Sequence, residues 1–182
     1  MNNKTEFIAI VGKPNVGKSS LLNRILGQKV SIVSKKPQTT RTRIMGVYTQ
    51  DEVQLVFIDT PGLHKPRTNL GEYMVKSVKD SISGVDTCLL VVNAGEKVLP
   101  SDLEFIDKFK CSNIPAVLAI NKIDLVTDKT FIIEQIKEYS KMFSFEAVVP
   151  LSAKTGDGVS ELVDELKKLA VPSEHFFDKD AL

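Results

Sequence analysis

The sequence predicts an α/β fold: a six-stranded mixed sheet, with one antiparallel strand, covered by about five helices. Three observations lead there. Apolar, β-branched runs recur along the chain, helix-period segments separate them, and the alternation fails at one place. The runs are FIAIV (7–11), QLVFIDT (54–60), TCLLVVNA (87–94), PAVLAINK (115–122) and EAVVPLSA (146–153). Their continuous apolarity is that of strands buried on both faces. The segments 19–27, 69–83, 101–110, 130–143 and 158–170 repeat apolar residues at three- and four-residue steps, as helices with one buried face do. Strand–helix–strand alternation implies parallel crossovers with helices on both sides of the sheet. The exception is RIMGVYTQ (43–50), which runs into QLVFIDT across Asp51-Glu52 with no helix between, and so predicts an antiparallel hairpin.

At 182 residues the chain suits one domain, here expected over 1–172. A composition 42% apolar and 26% charged is that of a globular rather than a disordered chain. The net charge of +1 argues against a polyanion-binding surface spread over the whole domain. Cys88 and Cys111 form neither a disulfide framework nor a metal-ligand spacing, and are read as reduced thiols of a cytoplasmic protein. No apolar stretch approaches the roughly 18 residues that span a bilayer, and the first residues lack a signal core.

The chemically unusual residues follow strand ends: Gly12 to Ser19, Asp59 to Gly62, Asn121 to Asp124 and Ser152 to Lys154. Open α/β sheets bind ligands at the carboxyl ends of their strands, so these four loops are expected to line one rim.

The first loop, GKPNVGKS, matches GxxxxGK[ST] through Gly12, Gly17, Lys18 and Ser19. Such a match arises by chance in roughly 1% of chains this long, and fewer place it between a strand and a helix. Glycines let backbone N–H groups curl around an anion at a helix N-terminus. Lys18 is expected on the β- and γ-phosphates and the Ser19 hydroxyl on Mg²⁺, with Lys13, Pro14, Asn15, Val16 and Ser20 completing the cradle. This loop does not separate ATP from GTP.

NKID selects the base. Asp124 can accept from guanine N1–H and the 2-amino group, a donor pair that adenine lacks on that edge. The Lys122 stem can lie along the base, and Asn121 either meets the base edge or braces the phosphate loop. In Ser152-Ala153-Lys154 a small Ala153 leaves room for a backbone N–H to approach guanine O6.

DTPG supplies Asp59, a carboxylate at a buried strand end that needs a cation; Mg²⁺ through a bridging water is the expected partner. Thr60, Pro61 and Leu63 are counted with Asp59 and Gly62 among the nucleotide-binding residues, and the Gly62 N–H can reach a γ-phosphate. In the polar, basic segment 35–44, Thr40 is the candidate second hydroxyl on Mg²⁺, with Thr39 as the alternative register. Ordering of that segment by a γ-phosphate would make it a switch.

Together these residues resemble the translation-factor-like (Era/TrmE-like) GTPases, and specifically the bacterial Era family. The resemblance rests on GKPNVGKSSLLNRILGQKVSIVSKKPQTTRTRIMGVYT, FIDTPGLHKPRTNLGEYM, NKID and SAKTG. It implies a P-loop NTPase fold of the Ras-like three-layer kind. It also implies GTP hydrolysis to GDP and phosphate, coupled to maturation of the small ribosomal subunit through its 16S rRNA, in a cytoplasmic protein with some association with the inner face of the cell membrane. Era proteins carry an RNA-binding KH domain after the GTPase domain. Residues 173–182 are therefore expected to begin a linker, the chain to be a monomeric GTPase domain, and direct rRNA contact to lie elsewhere.

One position departs from many small GTPases. Leu63 stands where they place a water-orienting Gln, and its side chain cannot hydrogen-bond water. Relatives with the same phosphate loop use the Asn, here Asn15, to hold K⁺ in the role of an arginine finger; the alternative is that Asn15 only shapes the loop. Lys18, Thr40, Gly62 and Asn15 are thus the expected catalytic set. His64 is read as a surface residue rather than a base. A nucleotide-sensing module that barely hydrolyses GTP without its partner stands as the other reading.

Overall fold

A computed structural model describes residues 2–27, 43–59 and 85–176, with Arg43 and Asp59 described by their backbone alone. Its strands are β1 (Lys4–Val11), β2 (Arg43–Gln50), β3 (Val53–Asp59), β4 (Thr87–Asn93), β5 (Ala116–Asn121), β6 (Ala147–Pro150) and β7 (Val171–Pro172). Its helices are α1 (Lys18–Leu26), α2 (Pro100–Ser112), α3 (Lys129–Met142) and α4 (Val159–Leu169), with a 3₁₀ turn at Ile123–Leu125. The expected helix over 69–83 lies outside the described residues.

The sheet order is β2-β3-β1-β4-β5-β6. All pairs along it are parallel except β2 with β3, whose register closes Gln50 against Val53 across the expected Asp51-Glu52 turn. Asp51 takes a left-handed φ of 55° to make that turn. The irregularity between Ile44 and Gly46 brings β2 under α1, where a Cβ on Gly46 would collide with Leu26.

Alternation along the strands builds two cores. On one face Ala9, Val11, Val56, Ile58, Leu90 and Ile120 meet Phe105, Ile106 and Phe109 of α2 and Tyr139 of α3. On the other Ile8, Ile10, Leu55, Phe57 and Val91 meet Leu21, Leu22 and Ile25 of α1 and Leu162, Val163 and Leu166 of α4. This is the three-layer sandwich. A period of two along each strand and a buried stripe on each helix are sufficient to dictate it.

Helix starts use local chemistry. Pro100 opens α2 and the Asp102 carboxylate accepts the Leu99 N–H at 3.0 Å; Tyr139 also donates to that carboxylate at 3.1 Å, across the layer between α2 and α3. Asp128 caps α3 through the Thr130 N–H at 2.9 Å.

A seventh strand was not expected. β7 pairs antiparallel with Lys4 and Thr5, beside β1 where β4 has not yet begun. Beyond it, residues 173–176 lie against the amino edge of the sheet. Ser173 N–H donates to Asn3 C=O, the Thr5 hydroxyl to Glu174 C=O, His175 Nε2 to Glu52 C=O at 2.8 Å, and Phe176 N–H to Gln54 Oε1. The Phe176 ring meets Phe7 edge-on at 5.2 Å.

Candidate nucleotide-binding site

The loop between β1 and α1 turns because its glycines permit it. Gly12 has φ 153°, and a Cβ there would stand 2.6 Å from Val91 C=O. Gly17, at φ 92°, leads into α1, and a Cβ there would strike the Asn121 side chain. Between them Asn15 takes a left-handed φ of 67° at the exposed tip, and Val16 turns inward into the core. The half-buried Lys18 folds back so that its Nζ donates to Gly12 C=O at 2.6 Å. Ser19 and Ser20 are exposed in the first turn of α1. A concave loop that side chains would fill, a lysine across its mouth and a helix N-terminus beneath together fit a bound phosphate chain.

Asn121, only 2% exposed at the end of β5, joins this loop to the other two. Its Nδ2 donates to Val16 C=O at 2.8 Å, and its Oδ1 accepts the N–H groups of Lys122 at 2.8 Å and Ala153 at 3.0 Å. Of the two roles the sequence leaves open for Asn121, the structure displays bracing of the phosphate loop. The Ala153 N–H ties the 152–154 loop to Asn121.

Lys122 has a left-handed φ of 70° and sends its Nζ back over the phosphate loop to Asn15 C=O at 2.6 Å. Asp124 is exposed in the 3₁₀ turn, and the buried Ser152 hydroxyl donates to its Oδ1 at 2.8 Å. Gly158, at φ 76°, lets the chain leave this loop and enter α4.

Three contributors escaped the sequence reading. Arg24 in α1 donates through Nε to Ala153 C=O at 2.9 Å and through its terminal nitrogen to Lys154 C=O. Glu96 meets Lys13 at 2.5 Å and accepts from Asn93 Nδ2 at 3.0 Å. The Lys13 ammonium holds the Glu96 carboxyl below its ordinary range. Gln135 of α3 clamps the same loop, accepting Gly95 N–H and donating to Asn93 C=O. All three are polar residues on ordinary helix or loop faces, and no motif marks them; only the fold brings them to the rim.

Thr39, Thr40, Thr60, Pro61, Gly62, Leu63 and His64 lie outside the described residues, as does the Asp59 side chain; the backbone of Asp59 ends β3 beside Ile10. Among the described residues no group of three or more His, Cys, Asp or Glu is arranged to hold a metal, and no helix is long and apolar enough to cross a membrane.

The fold and the rim together define a nucleotide-binding protein of the P-loop class. Residues 7–122 match the family described as 50S ribosome-binding GTPase, and the chain belongs to that GTPase family. Within it, the chain is similar to Era proteins. It is 42% identical over 179 residues to GTPase Era of Clostridium acetobutylicum, a match covering 98% of this chain and 60% of that protein. It also resembles the crystal structure of Era in complex with MgGDPNP and nucleotides 1506–1542 of 16S ribosomal RNA, with a TM-score of 0.80 and 40% identity over 98% of this chain and 61% of that one. A variant of Aquifex aeolicus Era bound to GDP and AlF₄⁻ gives a TM-score of 0.79 at 41% identity, over 97% and 60% of the two chains. The chain thus spans about 60% of the length of these relatives.

Proposed function

We propose that this domain binds GTP and GDP at the rim and hydrolyses GTP to GDP and phosphate. It would act as a switch in maturation of the small ribosomal subunit, with 16S rRNA as the partner. The observation that carries the nucleotide reading is the Asn121 hub. One buried side chain holds the phosphate loop through Val16 and the base-side loops through Lys122 and Ala153. A loop that cradles phosphate and a carboxylate suited to guanine are thereby kept at a set distance. The ribosomal reading is supported by the Era relatives, one of which is in complex with 16S rRNA. A cytoplasmic location, a monomeric state and peripheral contact with the inner face of the cell membrane are proposed on the same kinship.

In the bound state Lys18 would exchange its contact with Gly12 C=O for phosphate oxygens, a charge-assisted bond replacing a neutral acceptor. The loop N–H groups and the N-terminus of α1 would orient the phosphates and stabilise charge that develops on them. Asp124, aligned by Ser152, would read the guanine edge, and Lys122 would cover the base with its stem. Mg²⁺, when bound, neutralises phosphate charge; Ser19, Thr40 and a water-bridged Asp59 are the proposed residues for it. Asn15 is proposed to hold K⁺ near the phosphates. Its exposed amide stands at the loop tip, while its carbonyl is engaged by Lys122.

The test is nucleotide binding and phosphate release with GTP and with ATP, in K⁺ and in Na⁺, for the wild type and Lys18→Ala. GTP should be preferred, Lys18→Ala should lose binding or turnover, and K⁺ should accelerate release. Equal rates in the two salts would remove the K⁺ role. Equal use of ATP would remove the guanine reading. The second reading, a nucleotide sensor with negligible unassisted hydrolysis, is favoured by Leu63. Single-turnover phosphate release from the isolated domain decides between them, because a sensor would release no phosphate above the uncatalysed background.

A further inference from the structure

We propose that Arg24 is a positioning residue for guanine recognition, acting on Asp124 through the 152–155 loop. The inference rests on the reading of Asp124 as the group that accepts from the base. Arg24 sits in the last turn of α1, whose first turn carries Lys18 and Ser19. Its guanidinium reaches out of the helix to the carbonyls of Ala153 and Lys154. In a trans peptide the C=O and the following N–H point in opposite directions, and none of the described peptide bonds is cis. Holding Lys154 C=O toward α1 therefore turns Thr155 N–H to the other side, where it donates to Ser152 Oγ at 3.1 Å. The Ser152 hydroxyl then has its proton free for Asp124 Oδ1, 2.8 Å away. The relay runs from Arg24 through the Lys154–Thr155 peptide and Ser152 to the carboxylate.

The loop needs such an anchor. Gly156 and Gly158 follow it with φ of 91° and 76°, so the backbone beyond Thr155 has conformations that other residues would deny it. Asp124 itself is exposed, on a short 3₁₀ turn entered through the left-handed Lys122, and the Ser152 hydroxyl is a partner that can fix the plane of its carboxylate. Arginine suits the task because its planar fork can serve two carbonyls at once, whereas a lysine ammonium is a point donor. A further consequence concerns geometry along α1. The helix that begins at the phosphates ends on the base-side loop, so a rigid rod spanning roughly 9 Å links the two halves of the site.

The experiment compares affinities of the nucleotide-free domain for GDP and inosine diphosphate, which lacks the 2-amino group, in wild type, Arg24→Ala, Arg24→Lys, Ser152→Ala and the Arg24→Ala/Ser152→Ala double variant. Arg24→Ala should weaken GDP binding by about tenfold and inosine diphosphate binding by less, so that the preference for GDP falls. Arg24→Lys should restore part of that preference. The double variant should show the same preference as Ser152→Ala alone, because both residues act in one chain of contacts. Equal weakening for the two nucleotides, or additive loss of preference in the double variant, would overturn the relay. If Asp124→Asn retains full preference for guanine over xanthine, the base assignment fails and the role of Arg24 falls with it; an Asp124→Asn swing combined with an inert Arg24→Ala defeats the relay alone.

Discussion

Asn121 and Glu6 are buried polar side chains at opposite edges of one sheet, and they are treated in opposite ways. Asn121, at the carboxyl edge, makes three hydrogen bonds to backbone groups of three different segments. Glu6, at the amino edge, is fully buried, with the Thr87 hydroxyl as the side-chain group that favours its charged form. Burial pushes its carboxyl up to about 8, against an ordinary 4.5, with the nearby Thr87 hydroxyl pulling the other way and Asp86 adding to the rise. Loops converge on the carboxyl edge and bring backbone donors and acceptors with them. At the amino edge β7 and residues 173–176 occupy the border of β1. A polar group near a strand end is therefore tied to several backbone segments at one edge, whereas at the other burial disfavours its charged form.

The largest effect expected at the organised edge is on base choice. Asp124→Asn should shift preference from guanine toward xanthine by on the order of 10⁴ in relative affinity, since a site built around specific hydrogen bonds rejects the unmatched partner strongly. Competition of GTP with xanthosine triphosphate measures it, and an unchanged preference would break the contrast at its functional end. Next, Asn121→Ala should destabilise the domain by about 3 kcal/mol in urea unfolding, because Val16 C=O and two N–H groups lose their partner at once. A loss of under about 1 kcal/mol would mean that the hub is not the structural link described.

At the other edge, the sign of the pH dependence follows from a raised carboxyl. The native state keeps the Glu6 proton to about pH 8, while the unfolded chain releases it near 4.5. The folded state binds the extra proton, so this group's stabilisation is complete below 4.5 and is lost as pH rises to about 8. Urea midpoints of wild type and Glu6→Gln between pH 5 and 8.5 should therefore diverge, with the variant relatively more stable at the alkaline end. Parallel curves would show that Glu6 is ionised and partnered in solution. The smallest effect is expected for Glu96→Gln, which removes an exposed ion pair with Lys13: under about 1 kcal/mol, shrinking with added salt.

The layers were legible in the sequence because each strand and helix had to hide its own apolar face. RIMGVYTQ was readable as the antiparallel strand because only the two polar residues Asp51 and Glu52 separate it from QLVFIDT, too few for a crossover. β7 was not readable. Two residues, Val171 and Pro172, have no periodicity, and their pairing depends on β4 beginning only opposite Ile8, which leaves Lys4 and Thr5 open on that side of β1. His175, which showed no role in the sequence, holds Glu52 C=O because that tail passes the hairpin turn.

By itself the sequence determined the strand and helix periods and the glycine positions of the loop after β1, and it offered Asp124 as a carboxylate for a guanine edge, since these depend on residue type and local spacing. Only the tertiary structure decided which partners those groups have. It turned Asn121 into a brace, paired Lys13 with Glu96 and aimed Arg24 at the base-side loop, across separations of 83 to 129 residues. Hydrogen bonds between such distant segments depend on how the sheet and helices pack in space, which no local pattern of residues records.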